Sequence, residues 1–133
     1  MSNINPKDYK FELFSLFPNN CCEYTSYLLA KYLHENHYKK TQMLHGENRY
    51  KKNLRHTWLK FGEIDIDITA DQFHSTDRTV FVMANSRWHE RFNIFRSEIP
   101  NINLNHLHEE PKLQLLEDYK NIVSIIDKRR NYA

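Results

Sequence analysis

The chain has 133 residues, of which 40% are hydrophobic and 27% charged, and these values are typical of one compact globular domain rather than a disordered protein. A net charge of only +2, with the basic residues scattered along the chain, argues against a nucleic-acid-binding protein, and no apolar run approaches the roughly 20 residues that span a bilayer. Since residues 1–6 lack the features of a signal peptide, we expect a single domain over residues 1–133 that is cytoplasmic, or exported without a classical signal, and binds no membrane.

The first predicted helix begins near the two cysteines. An aromatic-rich segment from Tyr9 to Phe17 leads to Pro18, and Asn20 can then cap a helix over residues 21–37. Glu23 would occupy the third helical position and complete a capping box with Asn20.

The rest of the chain predicts a run of strands followed by a second helix. Strand-like patterns cover residues 41–50, 56–61, 64–69, 79–84 and 88–95. A polar loop over residues 100–108 then precedes a helix over residues 109–130, whose predicted buried stripe is Leu113, Leu116, Val123 and Ile126. The fold class is therefore predicted as α+β, with helices packed on an antiparallel sheet.

The second and third strands predict a hairpin with a two-residue turn at Gly62 and Glu63. Strand side chains alternate between faces, so Thr57, Leu59, Phe61, Ile64, Ile66 and Ile68 should face the core. The opposite face then carries His56, Trp58, Lys60, Asp65, Asp67 and Thr69. This register places His56 diagonally opposite Asp67, within reach of a hydrogen bond.

The cysteine content indicates a free thiol. Cys21 and Cys22 are the two cysteines of the chain, and neighbouring Cα atoms lie too close for an ordinary disulfide. Cys22 would lie in the first turn of the first helix, where backbone N–H groups lower a thiol pKa and can donate to an oxyanion. A thiol, an imidazole and a carboxylate are the groups that a thiol hydrolase needs.

Three segments together resemble a family of bacterial papain-like, transglutaminase-like cysteine hydrolases. They are the Pro18-x-x-x-Cys22-x-x-x-Ser26-x-Leu28-Leu29 segment, His56-Thr57-Trp58-Leu59, and Ile66-Asp67-Ile68-Thr69-Ala70-Asp71-Gln72-Phe73. The resemblance implies Cys22 as nucleophile, His56 as base and Asp67 as the group that orients the base. It also implies a catalytic helix packed on an antiparallel sheet.

Other residues receive supporting or alternative assignments. Asn20 is a candidate substrate-binding residue beside the backbone N–H of Cys22, and Asn19 is an alternative; Trp58 is either a wall of the site or a core residue. Cys21 is expected to pack in the core and is the second candidate nucleophile. Asp65 is expected to pair with Lys60 across the hairpin, and Asp71 would replace Asp67 if the register slipped.

Metal chemistry is not expected. The seven histidines other than His56 are interpreted as surface or loop residues. A zinc site made from Cys21, Cys22, His56 and Asp67 is disfavoured, because vicinal cysteines chelate poorly and the Cys-x-x-Cys spacing is missing. The chemistry of thioacyl transfer requires no cofactor.

The predicted function is hydrolysis of an amide bond in a peptide or protein, by a peptidase or amidase that uses a thioacyl intermediate. Glutamine deamidation and transglutamination use the same chemistry and stay open as alternatives. A binding domain that keeps the fold without activity is a further alternative, as is a subunit whose site is completed by a partner chain.

Overall fold

The computed structural model describes residues 22–69 and 81–131, with side chains described as far as Ser124 in the final helix. In chain order its elements are α1 (Cys22–Glu35), β1 (Thr41–Asn48), β2 (Arg55–Phe61), β3 (Ile64–Asp67), β4 (Phe81–Ala84), a 3₁₀ turn (His89–Arg91), β5 (Phe92–Glu98) and α2 (Glu109–Asn131). The strands form one antiparallel sheet in the order β4-β3-β2-β1-β5, which confirms the predicted α+β class. Within the described ranges, no helix has the length and apolar character needed to cross a membrane.

Helix α1 ends two residues before its predicted end. His37 adopts a left-handed conformation with φ of 77°, and the N–H of Tyr38 bonds to the carbonyl of Leu33 at 2.8 Å. This Schellman arrangement satisfies the last carbonyls of the helix and turns the chain towards β1. The lead-in over residues 9–17 and the proposed cap at Asn20 lie outside the described residues.

The hairpin between β2 and β3 has the predicted turn and register over its three paired positions, but Ile64, predicted to face the core, is 38% exposed. Phe61 lies opposite Ile64 and Lys60 lies opposite Asp65. Gly62 has a φ of 60°, whereas Glu63 does not have a positive φ, as expected for a type II′ turn with glycine in its first central position.

The helices cover one face of the sheet. Met43 of β1 and Leu59 of β2 are fully buried against them, together with Tyr27, Leu28, Ala30, Leu104, Leu115 and Tyr119. The stripe predicted for α2 is wrong at Leu113, which is 56% exposed, because Leu115 and Tyr119 are the residues that turn inward. Leu116 and Val123 are half-buried against this core, and the side chain of Ile126 lies outside the description.

The other face of the sheet is covered by aromatic residues. Trp58 packs there with Leu44, Phe81, Trp88 and Phe92. The face predicted to carry His56 and Asp67 is therefore a second core, in which these side chains are 0% and 1% exposed. The strand predicted over residues 88–95 is wrong before Phe92, because residues 89–91 form the 3₁₀ turn; Trp88 and Phe92 flank this turn and pack on this face.

Gly46 permits the close approach of this aromatic layer. It lies opposite His56 in β1 and beside a bulge in the pairing with β5. A Cβ atom at this position would lie 2.6 Å from Cβ of Phe92 and 3.2 Å from the ring of Trp58. Any larger residue must therefore displace β5 or the indole ring.

We predict that Gly46→Ala lowers the free energy of unfolding by about 2 kcal/mol, the usual cost of overpacking a filled core. Urea unfolding measures the change. Val82→Ala is the control, because Val82 is 64% exposed on β4 and its truncation should change stability by less than about 0.5 kcal/mol. A Gly46→Ala variant as stable as the wild type would contradict the packing described here.

Candidate active site

The site is built where the start of α1 meets an open stretch of β2. Pairing between β2 and β3 stops at Leu59 and Ile66, so the preceding residues of β2 pair with β1 alone. The backbone N–H of Thr57 donates a hydrogen bond to the thiol sulfur of Cys22. The hydroxyl of Ser26 donates to the carbonyl of Thr57 at 3.5 Å. The first turn of α1 thus occupies the edge that β3 leaves free.

His56 lies between the thiol and a carboxylate. Its Nε2 forms a 2.6 Å hydrogen bond with Oδ2 of Asp67, and its side chain also forms a hydrogen bond with Cys22. Since Asp67 occupies Nε2, Nδ1 is the nitrogen left for the sulfur. The structure therefore brings together Cys22, His56 and Asp67 in the order in which a nucleophile, a base and an orienting group must stand.

Asp67 accepts hydrogen bonds at both carboxylate oxygens. Oδ2 accepts from His56 and from His89, each at 2.6 Å, while Oδ1 accepts from the backbone N–H of Thr69 at 2.9 Å and from its hydroxyl at 3.3 Å. Burial alone would raise the pKa of Asp67, but the charge of His56 and the hydrogen bonds from His56 and His89 hold that pKa far below the ordinary value. The carboxylate is therefore ionised although it is buried.

His89 is the residue of this site that the sequence analysis missed. It was assigned to the surface or a loop, but it is 4% exposed and its Nε2 bonds to Asp67. Its Nδ1 lies 2.7 Å from the hydroxyl of Ser86. The Nε2–H of His89 thus donates to Asp67, while the Ser86 hydroxyl holds the other side of the ring. The available signal was the Ser86-x-x-His89 spacing, which lets the two side chains meet across one turn.

His45 also departs from the surface assignment. Its ring is mostly buried, and Nδ1 lies 3.0 Å from the hydroxyl of Thr57 while Nε2 lies 3.2 Å from Oε1 of Glu98. These contacts brace Thr57, whose backbone N–H in turn contacts Cys22. His74 lies outside the described residues, and His37, His106 and His108 are exposed as expected.

Asp65 and Trp58 support the site from the aromatic side. The expected pairing of the Asp65 side chain with Lys60 is wrong, because its carboxylate accepts from Nε1 of Trp58 at 3.0 Å and from the N–H of Ser86 at 3.1 Å. Trp58 is 1% exposed and stacks on the ring of His56 at a centroid distance of 5.8 Å. From this position Trp58 fixes the imidazole and presents no surface to a substrate. Asn20, the other predicted substrate-binding residue, lies outside the described residues, as do Cys21 and Asp71.

The pKa shifts favour an ion pair between Cys22 and His56. Burial raises the pKa of the Cys22 thiol, but the hydrogen bond and charge of His56, with the Thr57 N–H, lower it below its ordinary value. Burial lowers the pKa of His56, whereas Asp67 and the hydrogen bond to Cys22 raise it to about 9. A thiolate beside an imidazolium is the reactive form of a cysteine nucleophile.

A metal ion would have to enter between side chains that already touch. Among the described residues, His56, Asp67 and His89 form the group whose donor atoms lie close enough to share an ion. The nitrogen-to-oxygen distances of 2.6 Å are those of direct hydrogen bonds, whereas zinc would lie about 2.0–2.2 Å from each donor atom. In the structure the three groups are joined by direct hydrogen bonds, through which Asp67 orients both imidazole rings.

No related protein was found with which the residues of this site could be aligned. Neither the protein-family models, the curated proteins nor the solved structures contain a match to this chain. The chemistry of the site is consequently argued from its own geometry.

We predict that Asp67→Asn lowers the free energy of unfolding by about 3 kcal/mol near pH 6, since two buried imidazoles lose their charged acceptor. Because folding lowers the pKa of Asp67, its stabilising contribution is complete above the ordinary carboxyl pKa of 3.8 and is lost as the pH falls below that value. The difference in the free energy of unfolding between wild type and variant should therefore become smaller below about pH 4. Urea unfolding from pH 3 to 7 measures it.

The matched control for this prediction is Glu63→Gln, which removes an exposed carboxylate from the hairpin turn. Its stability should stay within about 0.5 kcal/mol of the wild type over the same pH range. A wild-type advantage over Asp67→Asn that grows as the pH falls below 4 would show that Asp67 is not held ionised by its neighbours.

Proposed function

We propose that this protein is a thiol-dependent hydrolase that cleaves an amide bond of a peptide or protein, on a scaffold of the papain-like, transglutaminase-like kind. The observation that carries the proposal is the hydrogen-bonded series Cys22–His56–Asp67, with a thiol pKa lowered by the adjacent imidazole. The half-buried Cys22 stands at the end of this series, where a substrate carbonyl can approach it.

In the first step the thiolate of Cys22 attacks the carbonyl carbon and a sulfur–carbon bond forms. The carbonyl oxygen becomes an oxyanion, which the unpaired N–H groups in the first turn of α1 can stabilise. When the tetrahedral intermediate collapses, the carbon–nitrogen bond breaks and Nδ1 of His56 gives its proton to the leaving amine. The product is a thioester on Cys22 with a neutral imidazole beside it.

In the second step water replaces the amine. The neutral imidazole of His56 takes a proton from the attacking water, and hydroxide adds to the thioester carbon. Breakage of the carbon–sulfur bond releases a carboxylic acid and restores the thiolate and the imidazolium. Throughout both steps Asp67 holds the ring by its Nε2–H, so that Nδ1 stays directed at the sulfur.

An activated ester tests this function without knowledge of the natural substrate. We predict that p-nitrophenyl acetate acetylates Cys22, with a burst of nitrophenolate followed by slower turnover. His56→Ala should reduce the acylation rate at pH 7 by about a hundredfold, the lower range for loss of a general base, and Cys22→Ala should abolish the burst. Stopped-flow absorbance gives the rates, and peptide mapping locates the acetyl group.

His108→Ala is the matched control, because it removes an exposed histidine far along the chain and should leave the burst unchanged. Acetylation that does not depend on His56, or the absence of acetylation in a folded protein, would contradict the proposed hydrolase activity. Either result would favour a binding domain without activity. If the acetyl group is transferred to an added amine in preference to water, the proposed reaction is acyl transfer rather than hydrolysis.

A further inference from the structure

A pocket of about 190 Å³ lies between α1 and α2, outside the hydrogen-bonded groups of the site. Apart from the hydroxyl groups of Thr25, Tyr32 and Tyr119, the walls of the pocket are hydrocarbon and aromatic. They come from both helices and from the residue that follows β3, and comprise Thr25, Leu28, Leu29, Tyr32, Ile68, Tyr119, Ile122 and Val123.

The pocket begins one helical turn from the proposed nucleophile. Thr25, Leu29 and Tyr32 follow Cys22 at i+3, i+7 and i+10, so they lie on the same face of α1 as the thiol. On the far wall, Ile68 directly follows Asp67 in the chain. A group joined to the Cys22 sulfur through a few bonds can therefore reach the pocket along the helix.

Thr25 has a polar atom without a partner. The residue is 2% exposed, and its Oγ1 is buried with no hydrogen-bond partner. Buried hydroxyl groups are ordinarily paired, and a helical threonine usually bonds to a carbonyl of the preceding turn. The accessible surface of this oxygen is below 1 Å², so a molecule in the pocket does not reach it and binds through contact with the hydrocarbon and aromatic walls.

We propose that this pocket binds an apolar group on the acyl side of the substrate. The inference rests on the proposed function. The leaving amine must lie close to His56 to receive its proton, and no lining residue comes from the strand that carries His56. The pocket consequently receives the part of the substrate that stays on Cys22.

The volume sets the size of that group. A cavity of roughly 150 Å³ with apolar walls holds one benzene molecule. The present pocket therefore accommodates one leucine, methionine or phenylalanine side chain, or an acyl chain of about six carbon atoms. The substrate class is an amide whose acyl part carries one such group.

The test compares two alkylating probes of Cys22, iodoacetamide and N-benzyl-2-iodoacetamide. In both reactions the thiolate forms a sulfur–carbon bond and iodide leaves, but only the second probe carries a phenyl group beyond its amide. We expect the benzyl probe to label Cys22 at least about tenfold faster, the effect of burying one apolar group. Peptide mapping quantifies each adduct at Cys22.

Two variants test the pocket itself. Leu29→Phe fills the pocket and should bring the ratio of the two labelling rates to about one. Leu33→Phe is the matched control, since Leu33 lies one turn further along α1 and does not line the pocket. It should keep the wild-type ratio.

A second measurement does not depend on thiol chemistry or on a variant that folds. Unreactive N-benzylacetamide, added to the wild-type protein, should shift the NMR methyl signals of Leu28, Leu29 and Val123. Fast iodoacetamide labelling, with a rate ratio near one and no methyl shifts, would contradict substrate binding in the pocket. The proposed hydrolase activity would be unaffected by that result. Slow labelling by both probes with clear methyl shifts would overturn the hydrolase, and with it the assignment of the pocket to an acyl group.

Discussion

The arrangement of the site depends on the buried carboxylate of Asp67. A lone carboxylate in this aromatic layer would be very costly, but two imidazole N–H groups and the Thr69 N–H and hydroxyl replace its water shell. Because the carboxylate stays ionised, it can hold His56 in its protonated form beside Cys22. His89 and Ser86 extend the series on the other side, so that Asp67 has one orientation.

Strand β2 explains how a buried imidazole can meet a thiol on a helix. Adjacent strand residues point to opposite faces, so His56 enters the aromatic layer while Thr57 faces the helices. The first turn of α1 lies at the edge between these faces, where Cys22 contacts both the His56 ring and the Thr57 backbone. The low polarity of the aromatic layer strengthens each hydrogen bond of the series.

The local features of the fold were predictable, and the long-range ones were not. The hairpin turn is short and its glycine is diagnostic, so the sequence placed His56 near Asp67 correctly. His89 lies 22 residues after Asp67 in the chain, and it reaches Asp67 because the following strand, β5, pairs with the far edge of β1. No short-range sequence pattern encodes that contact. Likewise, alternation showed which residues share the face of Trp58 but not that an aromatic layer covers it. The stripe of α2 was misplaced because its apolar residues suit more than one helical face.

The ionisation of His56 tests the central claim most directly. Nitrogen-15 NMR of the wild-type protein, with signals assigned through His56→Ala, follows both ring nitrogens of this residue from pH 5 to 10. Since Asp67 and Cys22 raise the pKa of His56 to about 9, both nitrogens should remain protonated at pH 7 and titrate only in the alkaline range. A neutral His56 ring at pH 7, titrating near 6.5 or below, would contradict the thiolate–imidazolium pair and the mechanism built on it.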